Sequence, residues 1–177
     1  MDSASAHFLL SSYREAVLEH LFVGDLLRVL WKAGPVRADV MKPQVDDAGY
    51  DLFIEANGVA RHIQLKGSFR GARTATQKVN ARLAAKPSGC VVWIHFDKTS
   101  MELGPFRYFG GAPGQPLPSL QSLRVARHTK GNATGYKAER PGIYIVPKRA
   151  FREISTIDEL AEVLFGRIRP QAERRSG

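Results

Sequence analysis

Cysteine is nearly absent from the sequence, since Cys90 is the single thiol among 177 residues. One thiol cannot close a disulfide within the chain, and no Cys or His spacing typical of a zinc site is present. A disulfide-stabilised scaffold and a zinc finger are therefore excluded. Because Cys90 lies in an apolar run typical of a strand, we expect it to be a buried structural thiol.

Long hydrophobic runs are also missing. No apolar stretch reaches the roughly 18 residues of a membrane span. The first residues lack the basic and then apolar layout of a signal peptide. We therefore expect a cytoplasmic protein without a membrane partner.

Acidic residues are absent from two long segments, one between Glu55 and Asp97 and one over residues 103–138. Both segments contain several lysines and arginines, and the formal net charge is +9. A basic field of this kind favours a polyanionic partner such as nucleic acid. An excess of positive charge that serves only solubility is the alternative.

The length and the apolar fraction of 44% fit one compact domain. The order of the patterns predicts an α/β fold class, with a mixed central sheet flanked by helices. We predict one domain over residues 1–166, with its core at about 11–97. A loop excursion at 103–139 precedes a closing strand and helix at 142–166, and a basic flexible tail follows at 167–177.

The first helix is expected over residues 11–33. Ser11 or Ser12 would cap it, Glu15 would complete a capping box, and a Gly-Pro pair would end it. Apolar residues recur at helical spacing and predict one broad buried face. The residues of this face are Leu18, Leu21, Phe22, Leu26, Leu27, Leu30 and Trp31.

Two short strands, residues 49–55 and 61–68, are predicted to form a hairpin. Asn57-Gly58 between them is a strong turn signal because both residue types tolerate positive φ. A helix over 74–85 and a strand over 89–96 follow. The last of these is nearly continuous in apolar residues, as expected for a strand that is covered on both faces.

Alternation of side chains along the hairpin places three polar groups on one face. Asp51 lies opposite to its aliphatic neighbours, and Gln64 and Lys66 share a face of the second strand. An aspartate and a lysine that converge suit metal-assisted hydrolysis of a phosphodiester. The carboxylate is a hard ligand for Mg²⁺, and the ammonium can orient the attacking water and offset transition-state charge.

Asp51, followed by Gln64-Leu65-Lys66 on the next strand, resembles the motif of the PD-(D/E)xK nuclease superfamily. The order helix, strand, hairpin, helix, strand over residues 11–97 is similar to its Holliday-junction-resolvase-like and Mrr-like branches, in a QxK variant. The resemblance implies a restriction-endonuclease-like core. It also implies endonuclease activity on DNA with Mg²⁺ or Mn²⁺ as cofactor, and many such proteins act as homodimers.

The resemblance also assigns roles to individual residues. It places Asp51 and Gln64 at the metal and Lys66 at the attacking water. A glutamate of the first helix would complete the metal site. We prefer Glu19, which borders the apolar face, with Glu15 and Asp25 as the alternatives. Gln64 stands where many members have an acid, and the lost charge is expected to weaken metal affinity.

Basic residues that follow the catalytic hairpin are predicted to contact phosphates of the nucleic acid without reading its sequence. They are Arg70, Arg73, Lys78 and Arg82. Three aromatic residues are open to two interpretations, stacking on unpaired bases or packing in the core. They are Phe69, Tyr108 and Phe109.

Several structural interpretations stand beside the catalytic ones. Asp51 can be a surface carboxylate, and Lys66 an edge lysine that discourages strand pairing. Asp46 and Asp47 are most simply loop residues. His95 is interpreted as a core imidazole. At the level of function, the alternative is a nucleic-acid-binding or partner-binding module without turnover, in a defence or mobile-element system for example.

Overall fold

The computed structural model describes residues 3–34, 36–45, 48–128 and 137–167, with side chains from Leu10 onward. These residues form two α-helices, α1 (Ser3–Lys32) and α2 (Ile157–Phe165), with 3₁₀ turns at Ala81–Ala85 and Lys148–Ala150. The strands are β1 (Ala38–Met41), β2 (Leu52–Ala56), β3 (Val59–Phe69), β4 (Thr76–Asn80), β5 (Gly89–Phe96), β6 (Leu103–Gly110), β7 (Val125–Arg127), β8 (Glu139–Pro147) and β9 (Arg152–Ile154). No helix within the described ranges is long and apolar enough to cross a membrane.

The fold is α/β, and its main sheet is mixed, as the sequence predicts. Six strands lie in the order β1-β2-β3-β5-β6-β9. β3 and β5 are parallel, and the other neighbours are antiparallel. The turn between β2 and β3 has positive φ at both Asn57 and Gly58, which is the primed turn that suits a tight hairpin.

Both helices pack on one face of this sheet. The buried stripe of α1 meets the apolar residues of β2, β3 and β5 in a single cluster with α2. Its members from α1 include Phe22, Leu26 and Leu30, each at most 1% exposed. The predicted face is too broad, because Leu21, Leu27 and Trp31 are 38%, 38% and 75% exposed.

The other face is covered by a second sheet rather than by a helix. The three strands of this sheet lie in the order β4-β8-β7, and the predicted helix over 74–85 is wrong. Val79 and Leu83 point inward as that helix would have placed them. They do so from β4 and from the 3₁₀ turn after it. Pairing with β8, which is distant in sequence, outweighs the local helical spacing.

Other boundaries also differ from the prediction. α1 begins at Ser3, so Ser11 lies within the helix and caps nothing at its start. The described residues of the excursion at 103–139 include β6 and β7, and the predicted closing strand begins earlier, at Glu139. α2 is capped by Thr156, whose side chain accepts from the Glu159 amide. Asp46, Asp47 and residues 168–177 of the tail lie outside the described residues.

A buried arginine holds the end of α2 against the sheet. Arg61 is fully buried, and its Nε donates to the Leu164 carbonyl at 2.6 Å. Its two terminal nitrogens donate to the carbonyls of Val163, Gly111 and Ala112. The negative end of the α2 dipole compensates this guanidinium in part. Arg61 thus joins β3, α2 and the loop after β6.

We predict that Arg61→Met lowers the free energy of unfolding by about 2–4 kcal/mol, because buried carbonyl oxygens lose their donors. Urea denaturation measures the change. Arg37→Met is the matched control, since the Arg37 side chain is 90% exposed and its loss should cost under about 0.5 kcal/mol. Equal effects of the two substitutions would contradict a structural role for Arg61.

Candidate active site

The site lies where β3 loses one of its neighbours. β5 pairs with β3 from His62 to Phe69, whereas β2 pairs with it only up to Ile63, opposite Leu52. Residues 64–69 therefore have β5 on one edge and no β2 partner on the other. α1 crosses this open edge, and a Cβ on Gly67 would come within 2.9 Å of Leu18 Cδ1. Glycine at this position permits the close approach of the helix.

A cleft of about 490 Å³ opens at this edge. Its wall combines residues of α1, of the loop between β1 and β2, and of β3, β4 and β5. Its polar residues are Glu15, Glu19, Lys42, Asp51, Lys66 and Gln77. The structure thus brings Asp51, Lys66 and Glu19 to one place, as the sequence predicts for a catalytic set.

Asp51 is held by the backbone of β3. Its Oδ2 accepts from the Leu65 amide at 2.6 Å, and its own amide donates to the Ile63 carbonyl at 2.8 Å. The carboxylate therefore occupies the hydrogen-bonding position that a continued β2 would fill. This bond fixes the carboxylate beside the residue that precedes Lys66.

The acids of α1 differ in their surroundings. The Glu19 side chain is 15% exposed, and its Oε1 lies 2.6 Å from Lys42 Nζ. Glu15 lines the same cleft from one turn earlier. Asp25 is not among the lining residues of this cleft, and its Oδ1 pairs with Arg28 at 3.0 Å. Glu19 and Glu15 are thus the helix acids placed at the site.

Gln64 is turned toward β4. It is 8% exposed, and its Oε1 accepts from the Asn80 amide at 3.4 Å. It is not among the residues that line the cleft, whereas Gln77 of β4 is. Sequence reasoning missed Gln77, because the helix predicted there hid the strand alternation. It also missed Lys42, which gives no local signal in its loop.

The donor set can be compared with the needs of a divalent cation. Among the described residues no three His, Cys, Asp or Glu side chains are grouped closely enough to hold a metal. Mg²⁺ commonly uses only one or two carboxylates and completes its shell with water and substrate phosphate. The carboxylates of Asp51 and Glu19, with Glu15 beside them, fit that pattern. The Lys42 ammonium contacts Glu19, where such a cation would bind.

A smaller groove of about 220 Å³ continues from the cleft and shares Glu15, Leu18 and Gly67 with it. Phe69 lies in its wall. The Arg14 guanidinium and the Lys98 ammonium lie 5.3 Å and 5.6 Å from the centre of the Phe69 ring. Positive charge thus flanks the groove beside the acidic cleft.

The predicted phosphate-binding residues do not share one environment. Arg70 donates through Nε to the Gly104 carbonyl at 2.6 Å and pairs with Glu102, so part of its guanidinium is committed to the fold. Arg73, Lys78 and Arg82 are exposed. Of the predicted aromatics, Tyr108 and Phe109 are buried, and Phe69 packs against Phe96.

Cys90, His62 and His95 make structural contacts. Burial raises the pKa of Cys90 to about 12, so the thiol stays protonated. His62 makes edge-to-face contacts with the rings of Tyr50 and Phe53, and its Nδ1 is 2.7 Å from the Pro87 carbonyl. His95 stacks on Trp93, and within the described part of the chain its buried Nδ1 has no hydrogen-bond partner.

No protein-family model and no curated protein sequence matches this chain.

Burial lowers the pKa of His95 below its usual 6.5, and the nearby charges of Arg107 and Lys148 lower it further. The unfolded chain then takes up the proton first as pH falls. We predict that the free energy of unfolding declines from about pH 7.5 to about pH 5 and that His95→Phe reduces this decline. Denaturation at both pH values measures it. His128→Phe, at an exposed position, should leave it unchanged, and an unaltered decline in His95→Phe would refute the assignment.

Proposed function

We propose that this chain is a divalent-metal-dependent phosphodiesterase that cleaves DNA, with a restriction-endonuclease-like core of the PD-(D/E)xK type. The supporting observation is the meeting of Asp51, Lys66 and Glu19, from three separate elements, in the cleft at the open edge of β3. The run α1, β1, the β2–β3 hairpin and parallel β5 also follows the order that the resemblance requires. The segment between β3 and β5 departs from it, because β4 and a 3₁₀ turn replace the crossover helix.

The roles of the residues follow from their positions. Asp51, oriented by the Leu65 amide, and Glu19 would hold the metal, with Glu15 in reach of the same space. A bound Mg²⁺ would supply Lewis acidity and lower the pKa of a bound water. Lys66 orients the attacking water and offsets the charge that develops on the phosphate. Gln64 and Gln77 can supply neutral oxygens, Gln64 only if its bond from the Asn80 amide opens.

Lys42 is assigned a different task. Its ammonium neutralises Glu19, and its side chain is 61% exposed, so it can move into solvent. Lys42 would give up this contact when Glu19 holds a divalent cation. Lys42 would thereby lower the repulsion among the acids when no metal is bound.

The polyanion would reach the cleft along the groove that contains Phe69. Arg14 and Lys98 flank this groove, and exposed Arg73 lies on the loop after β3. Contacts of this kind bind the phosphate backbone without reading base sequence. The groove thus suits the backbone of a nucleic acid, and DNA as the substrate follows from the resemblance to the nuclease superfamily.

A nucleic-acid-binding module without turnover is the second candidate. Two observations favour it: Gln64 is bonded to the backbone of β4, and Glu19 is already paired with Lys42. Both contacts compete with metal binding. In this case the same cleft and groove would bind DNA and leave it intact.

Lys66→Gln should reduce Mg²⁺- or Mn²⁺-dependent cleavage of plasmid or branched DNA at least about 100-fold, because the group that serves the water is lost. The rate of nicking measures the effect. Lys32→Gln removes an exposed lysine at the far end of α1 and should cleave at the wild-type rate. Undiminished cleavage by Lys66→Gln would remove Lys66 from the mechanism.

Binding without turnover has its own signature. If the second candidate is right, no divalent ion supports cleavage. Affinity for DNA still falls steeply as salt rises, because protein binding releases cations from the DNA phosphates and this release is less favourable at high salt. Fluorescence anisotropy at about 50 and 200 mM salt measures the slope. Affinity that does not change with salt would argue against nucleic acid as the partner in both candidates.

A further inference from the structure

The face of α1 turned away from the sheet is apolar and uncovered. Leu10, Tyr13 and Trp31 are 63%, 70% and 75% exposed, and Leu27 is 38% exposed. A single exposed leucine is common on protein surfaces, whereas several large apolar side chains on one helix face mark an interaction site.

The spacing of this face is that of a helix-pairing seam. Leu10, Tyr13, Val17, Gly24, Leu27 and Trp31, with His20 between Val17 and Gly24, follow one another at alternating steps of three and four residues. We name these residues the outer seam. A period of 3.5 residues over three heptads is the pattern by which one helix packs along another. The buried stripe of α1 lies on the opposite side, so the two apolar faces serve different contacts.

Gly24 is the small residue in the middle of the outer seam. A Cβ built on it would have no atom within 4 Å among the described residues, so the intramolecular packing does not require glycine there. Glycine within a helix costs about 1 kcal/mol relative to alanine. The close approach of another helix at this point would explain why the residue is glycine.

The charge of α1 sets it apart from the rest of the chain. Its described residues from Leu10 onward contain three basic residues, Arg14, Arg28 and Lys32, and three acidic ones, Glu15, Glu19 and Asp25. The helix is therefore neutral in a chain of net charge +9. The neutral charge of the helix does not favour binding of a polyanion to this face, and two such helices can meet without net repulsion.

The exposed area of the outer seam is sufficient for a dimer. Tyr13 and Trp31 alone offer on the order of 300 Å². With the exposed leucines, including Leu21 at the border, the face offers roughly 600 Å² per chain, or about 1,200 Å² for a pair, which is the lower end of the range for stable interfaces. The length from Leu10 to Trp31, about 32 Å, accommodates the whole contact on one straight helix.

We propose that the outer seam packs against the outer seam of a second copy of this chain, forming a two-fold symmetric homodimer through paired α1 helices. A two-fold contact uses the same patch on both chains. The regular spacing of the outer seam allows two copies of it to pack together. Glu15 and Glu19 lie on the opposite side of α1, so the clefts of both copies stay open. This inference stands independently of the proposed catalytic function.

The test is the mass of the purified full chain in solution, measured by sedimentation equilibrium from about 1 to 100 µM, a range that brackets ordinary dimer affinities. The wild-type chain should have the mass of two copies. Tyr13→Glu/Trp31→Glu should raise the dimer dissociation constant at least about 100-fold, because two aromatic anchors are replaced by charges. Val45→Glu is the matched control: Val45 is 62% exposed, lies outside α1, and receives the same charge.

A wild-type chain that stays monomeric at the highest concentration would overturn the proposal, as would a double variant that still dimerises like the wild type. Loss of the dimer in Val45→Glu would show that another surface holds the dimer together, and this result would also overturn the proposal. Far-ultraviolet circular dichroism establishes that the double variant is folded. Should it be unfolded, Trp31→Ser, a milder change at a 75% exposed position, replaces it, with an expected loss of at least about 10-fold in affinity.

Discussion

The unequal pairing of β3 is the constraint on which the rest of the structure depends. β5 pairs with β3 from His62 to Phe69, whereas β2 accompanies it only to Ile63. An unpaired strand edge exposes backbone donors and acceptors that must be covered or used. Here Asp51 bonds to one of the donors, α1 crosses the edge, and the remaining space is the cleft. The candidate site is thus a consequence of where β2 begins.

α1 is the element that connects the separate parts of this molecule. One face supplies the core, and the border of that face carries Glu15 and Glu19 to the cleft. The opposite face carries the outer seam. These three tasks use different positions around the helix, so it is apolar on two sides. This explains why a single broad buried face was predicted for it and why Leu27 and Trp31 were wrongly included.

The sequence-based prediction was accurate for elements that depend on residues close in sequence and wrong for an element that depends on a distant strand. β5 was predicted well, because a continuous apolar run is a local signal. The β2–β3 hairpin was found through Asn57-Gly58 for the same reason. The segment of β4 was predicted as a helix because its partner β8 lies more than sixty residues later in the sequence, and no local pattern reports that pairing.

For the candidate site, the sequence by itself determined that Asp51 and Lys66 lie near each other, since a hairpin turn and strand alternation fix that geometry locally. Only the tertiary structure decided that Glu19 rather than Asp25 faces the cleft, because this depends on how α1 is rotated over the sheet. It likewise placed Lys42 and Gln77 in the wall and turned Gln64 toward Asn80. Those positions depend on packing between distant elements, which local spacing cannot specify.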